Sequence, residues 1–228
     1  MPTRVHPILA TPRSAPAVKV CCIASRDEVE LALLAGATML GLVSAMPSGP
    51  GVIDDATIAS LVAHIGDRAV SVLLTSRTEP EAIAAQLHAS GARAVQLVDA
   101  LTSDDHAALA RLVPEVLRVQ VIHVRGPSDV DDAIALAPAV DALLLDSGNP
   151  SAATPTLGGT GRTHDWALSE AIVDGVEIPV LLAGGLHAEN IGRAIARVRP
   201  WGVDVCSGVR TAGALDAAKL SAFVGAAR

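Results

Sequence analysis

From Ala17 onward one alternation repeats to the end of the chain. A short, nearly continuous apolar run is followed by a polar loop and then an amphipathic Ala/Leu-rich stretch. The apolar runs are 18–23, 38–43, 69–74, 94–98, 117–123, 142–146, 179–183 and 203–206. Runs this short and this uniformly apolar are the signature of parallel strands buried on both faces. The stretches between them, 26–35, 54–65, 79–90, 103–112, 128–136, 164–173, 188–198 and 214–226, read as helices. Ser25 stands where an N-cap belongs, and Gly36, Gly66 and Gly91 where helices stop. Alternation of this kind gives βα units. Eight of them predict an α/β fold, a single-domain (β/α)8 TIM barrel over residues 17–228, behind a flexible N-terminal extension over 1–16.

Several function classes drop out on composition. Half the residues are hydrophobic and only 18% are charged, which excludes disorder. One Phe, two Trp, no Tyr and a net charge of -7 argue against a nucleic-acid partner. Such partners need basic patches and stacking rings. The uncharged stretch 31–53 is broken by Pro47, Pro50 and several glycines, so it is not a membrane span. The N-terminus has no sustained apolar core and does not read as a secretory signal. Three cysteines, two of them adjacent, make no disulfide framework and point to a reducing compartment, the cytoplasm. A monomer or homodimer is expected.

The main rival fold is a doubly wound dinucleotide-binding sheet. It would want Gly-x-Gly-x-x-Gly after the first strand, where the chain reads Cys21-Cys22-Ile23-Ala24-Ser25. The glycine turns lie instead after the seventh and eighth strands, at Gly184-Gly185 and Ser207-Gly208. Those are the positions at which barrels hold phosphate, so a small phosphorylated ligand is expected there. The Gly158-Gly159-Thr160-Gly161 loop lacks the Lys-Ser/Thr of a nucleotide P-loop and reads as a lid or wall of the site.

Asp146 ends the sixth strand, where barrels place functional carboxylates. Asp204 lies inside the eighth apolar run and needs a partner or a ligand. Strand alternation sends one of Cys21 and Cys22 to the barrel axis and the other to the helices. A buried cysteine can be mere packing. It can also be a base if cationic neighbours favour its thiolate, and Lys19 shares a face with Cys21. His123 is placed at the barrel mouth, and His64, His88 and His106 on the solvated surface. No metal-ligand spacing and no Gly-x-Ser-x-Gly elbow is present.

At this point the sequence resembles the phosphoribosylanthranilate isomerase family. The motifs are Val18-Lys19-Val20-Cys21, Val95-Gln96-Leu97, Leu144-Leu145-Asp146-Ser147 and Gly158-Gly159-Thr160-Gly161-Arg162-Thr163. Pro179 through Leu186 and Gly202-Val203-Asp204-Val205 continue the match in the family's order. The resemblance implies an Amadori rearrangement of N-(5-phosphoribosyl)anthranilate in tryptophan biosynthesis, an aldose–ketose isomerisation without cofactor or metal. It implies Cys21 as base and Asp146 as acid. Phosphate would lie on Gly184, Gly185, Ser207 and Gly208. Lys19, Gln96, Gly159, Thr160, Asp204 and Cys206 would line the substrate.

Four departures stand against that pattern. Cys22 replaces a family glycine, and Cys206 replaces the first serine of Ser-Ser-Gly. Pro50 falls near the arginine of a Ser-x-Arg segment, and Val98-Asp99 replaces a His-Gly. The phosphate and acid half is kept, while the aglycone half differs. Two alternatives therefore remain: a related barrel enzyme acting on another phosphorylated sugar or amine, and a non-catalytic binder of phosphorylated ligands.

Overall fold

The computed structural model describes residues 6–9, 15–47, 49–147 and 165–228. Eight parallel strands close in sequence order: β1 (Ala17–Val20), β2 (Met39–Val43), β3 (Val70–Thr75), β4 (Ala94–Leu97), β5 (Leu117–His123), β6 (Ala142–Asp146), β7 (Val180–Leu182) and β8 (Gly202–Val205). β8 returns to pair with β1, so the barrel has no open edge. The outer ring is α1 (Arg26–Ala35), α2 (Asp55–Ile65), α3 (Pro80–Ser90), α4 (Ser103–Leu112), α5 (Ser128–Leu136), α6 (Trp166–Gly175), α7 (Ile191–Val198) and α8 (Ala217–Ala226). The single-domain (β/α)8 barrel expected from the alternation is present.

Local chemistry sets the helix ends. Ser25 accepts the Glu28 N–H, Asp54 accepts that of Thr57, and Thr102 with Asp105 forms a capping box. Gly36 and Gly91 stop α1 and α3 in the left-handed conformation.

Strand parity divides the core in two. Val18, Val20, Leu40, Leu42, Leu143 and Leu145 point outward and pack with helix residues such as Val29, Ile58, Leu109 and Phe223. Met39, Val43, Val72, Leu74, Val119, Leu144 and Leu181 fill the barrel interior. Each fully buried Val, Leu or Ile stabilises the fold by about 1.5–3 kcal/mol. Aliphatic side chains suit this tapering interior, which explains how a chain with one Phe builds its core. Within residues 1–16, Pro7–Leu9 forms a 3-10 turn. His6 Nε2 lies 3.0 Å from Glu115 O just ahead of β5, and Leu9 joins the interior cluster. This turn therefore covers the strand-start end of the barrel.

Four expectations are corrected. The first apolar run stops pairing as a strand at Val20, because Cys22 takes a left-handed backbone, φ +63°. Cys21 and Cys22 therefore do not split between axis and helices; both join the interior cluster. The segment 214–226 is not one helix: β9 (Arg210–Thr211) and β10 (Ala214–Leu215) form a small antiparallel hairpin, and Asp216 caps α8 after it. His106 is fully buried on α4, not on the surface.

Candidate active site

The C-terminal ends of the strands surround one open cleft. Asp146 reaches it from the end of β6, Gln96 from β4, Asp204 from β8, and Cys21 from just beyond β1. Cys22, Cys206 and Ser207 border the same opening. The far wall is apolar: Val43, Met46, Leu74, Val98 and Leu144, with Gly49 and Pro50.

Below the cleft, Lys19 and Asp204 face each other across the β1–β8 register, with Nζ and Oδ1 2.8 Å apart. The charged residue inside the eighth run thus has its partner. Burial works against the Lys19 charge, but Asp204 and the cysteine thiols outweigh it and raise the pKa. Lys19 is 1% exposed and sits beneath the cleft rather than on its surface.

Asp146 is held differently. Burial pushes its carboxyl up to about 6, the Ser147 N–H donating to Oδ1 at 2.7 Å pulls it down, Asp204 raises it, and Lys19 lowers it. The net result is an acid still partly protonated near neutrality, which is what proton donation to a weakly basic oxygen requires.

Beyond β1, Arg210 on the hairpin fixes the chain. Its guanidinium donates to the carbonyls of Cys21 (3.3 Å) and Cys22 (2.5 Å) and pairs with Glu28 at 2.8 Å. Glu28 also accepts the N–H groups of Ala24 and Leu215. A non-glycine residue at positive φ is costly, and this clamp holds Cys22 there. The three sulfurs end up clustered: Cys22 lies 2.8 Å from Cys206 and 3.7 Å from Cys21. The contact with Cys206 raises the Cys22 pKa most, followed by Cys21 and burial. The same contact lowers that of Cys206, against burial and Asp204.

The two glycine turns lie side by side. Gly184 has φ +83°, and a Cβ there would press on Ser147, 2.8 Å from its Oγ. A Cβ on Gly208 would collide with the Leu186 carbonyl of the neighbouring turn. Backbone N–H groups in such turns can approach an anion closely. Asn190 secures the first turn by accepting from His187 N and donating to Gly185 O, each at 2.9 Å.

Of the residues named from sequence, Cys21, Gln96, Asp146, Gly184, Gly185, Asp204, Cys206 and Ser207 line the cleft together. Gly208 stands behind Ser207 against Leu186. His123 is half-buried at the end of β5 and is not part of the lining. Gly159 and Thr160 lie outside the described residues. Among the described residues no group of three His, Cys, Asp or Glu is arranged to hold a metal ion. None of the helices among them is long and apolar enough to cross a membrane. Sequence reasoning missed Arg210 and Asn190, which act on backbone and carry no motif of their own.

Similarity to known proteins gives the chain a family. Residues 18–226 match the family model described as N-(5'phosphoribosyl)anthranilate (PRA) isomerase. N-(5'-phosphoribosyl)anthranilate isomerase of Halobacterium salinarum is 38% identical, covering 91% of this chain and 93% of the relative. The isomerase 2 of Methanosarcina mazei is 34% identical, over 91% and 92%. The phosphoribosyl anthranilate isomerase structure from Thermococcus kodakaraensis superposes with a TM-score of 0.76 at 29% identity, over 93% and 99%. With its barrel closed, Cys21 and Asp146 in one cleft and its two glycine turns side by side, the chain belongs to the phosphoribosylanthranilate isomerase family.

Proposed function

We propose that this chain catalyses the Amadori rearrangement of N-(5'-phosphoribosyl)anthranilate in the cytoplasm, as part of tryptophan biosynthesis. The observation that carries this reading is Asp146: a buried carboxyl with its pKa lifted to about 6, in one cleft with Cys21 and both glycine turns. Asp146 protonates the furanose oxygen, and the ring opens to a Schiff base. Cys21 is the base that takes the C2' proton. The resulting enol tautomerises to the ketose. The substrate phosphate rests on the Gly184-Gly185 and Ser207-Gly208 turns, which fixes the sugar between acid and base. Gln96 offers a buried Oε1 without a partner to the polar groups of the sugar.

The test is loss of substrate fluorescence on adding the purified protein. Decay proportional to enzyme concentration supports the reading. Absence of decay, with phosphate binding intact, overturns it. The pH profile follows from Asp146. The required form is the protonated one, so the acid's own contribution to kcat/KM falls about tenfold per unit as pH rises above about 6. The base has the opposite requirement, so the acid role is decided by Asp146→Asn: unchanged turnover would remove Asp146 from it.

One observation favours a second reading, the same rearrangement on a phosphoribosylated amine without a carboxylate. Among the described residues, the cleft lining has no arginine or lysine, and Pro50 stands on the apolar wall. Faster turnover of an aniline derivative than of the anthranilate would select it.

A further inference from the structure

The clamp on the β1 loop has an effect that the isomerase chemistry does not use. Continued as a strand, residue 22 would point to the helices. The left-handed turn at φ +63° instead brings its side chain into the interior cluster. There Cys22 Sγ meets Cys206 Sγ at 2.8 Å, already inside the van der Waals contact of two sulfurs, whereas a disulfide bond is about 2.05 Å. Both cysteines occupy positions where the chain departs from its family pattern, and the two departures touch each other. Cys206 is part-exposed at the rim of the cleft, while Cys22 is 4% exposed behind it. Cys21 lies further from Cys22, at 3.7 Å. The cluster is thus one close pair with a third sulfur beside it. The described residues offer no three-ligand metal arrangement, which leaves the chemistry of a pair.

We propose that Cys22 and Cys206 are a modification site, a dithiol that a peroxide converts to a disulfide across the mouth of the cleft. The Cys206 thiolate attacks one peroxide oxygen. The O–O bond breaks, hydroxide leaves and takes a proton, and a sulfenic acid remains on Cys206. The Cys22 sulfur then attacks that sulfur, the S–O bond breaks, and water departs with the Cys22 proton. Two thiols are oxidised by two electrons, and one peroxide is reduced to two waters. The lowered pKa of Cys206 suits it to the first step, and its exposure lets the oxidant reach it. Cys22, close by and protonated, is the resolving thiol. The bond ties the β1 loop, with Cys21, to the turn that carries Ser207 and Gly208. It fixes both sides of the opening at once and displaces the reacting groups, so the oxidised form loses turnover.

The full-length reduced protein is treated with hydrogen peroxide under native conditions, and intact mass and a peptide map are read. The expected result is a mass lower by two hydrogens, a Cys22–Cys206 linkage, and full reversal by dithiothreitol. Cys206→Ser should abolish the mass change, and so should Cys22→Gly, which suits the backbone there. A linkage through Cys21, oxygen addition without a cross-link, or no change at peroxide levels that oxidise free cysteine would each overturn the proposal. In the wild type, turnover should fall about tenfold or more on oxidation and return on reduction. The mass readout does not depend on turnover, so its failure leaves the isomerase reading standing, and failure of that reading leaves the linkage testable.

Discussion

Asp146→Asn should stop turnover and yet give a protein more stable than the wild type above neutral pH. The acid contributes about 10²–10⁴-fold to a proton-transfer step, and an amide cannot replace it. Stability moves the other way. The folded carboxyl titrates near 6, above the unfolded value of about 3.9. Between those values the native state holds a proton that the unfolded chain releases, so stability falls as pH rises through that window. Above it the full cost of the buried charge stands, about 2–3 kcal/mol. Asn keeps an oxygen to accept the Ser147 N–H and carries no charge. Urea unfolding at about pH 8 should therefore show the variant ahead by about 2 kcal/mol, with the gap closing toward about pH 4. A variant that is inactive but equally or less stable at high pH would mean that Asp146 is not strained by burial.

Lys19→Met should be the most destabilising single change in the barrel interior. It leaves the Asp204 carboxylate buried without the ammonium 2.8 Å away. Breaking one side of a buried pair costs about 3–5 kcal/mol, whereas replacing both sides by apolar groups is often neutral. Lys19→Met combined with Asp204→Leu should recover most of the loss, a strongly non-additive cycle in urea midpoints. Additive losses would show that the two charges do not depend on each other.

The barrel was legible because its signal is periodic. Each apolar run had the length of a doubly buried strand. The inward parity then carried Gln96, Asp146, Asp204 and Cys206 to one cleft without further information. The charge of Asp204 announced a partner; register, invisible in sequence, decided that it is Lys19. His106 was misread, although its spacing of three from buried Leu109 placed it on the inner face of α4. The left-handed backbone at Cys22 was not read. Nothing local favours positive φ at a cysteine, and the cause is Arg210, remote in sequence and bonded to carbonyls. The hairpin at Arg210–Leu215 was hidden for a related reason: Ala214 and Leu215 continue the apolar pattern of the helix that follows.

The contact between Gly208 and the Leu186 carbonyl bears on how this catalyst can diversify. The gap between the two glycine turns is set by main chain against main chain, so any side chain placed at Gly208 would force the turns apart rather than tune them. The opposite wall is made of Val43, Met46, Leu74 and Val98 side chains, each of which point substitution can resize. One half of the cavity is thus fixed hardware and the other an adjustable gauge. Single substitutions on the adjustable half can reshape the cavity, while the glycine turns and Asp146 carry over unchanged.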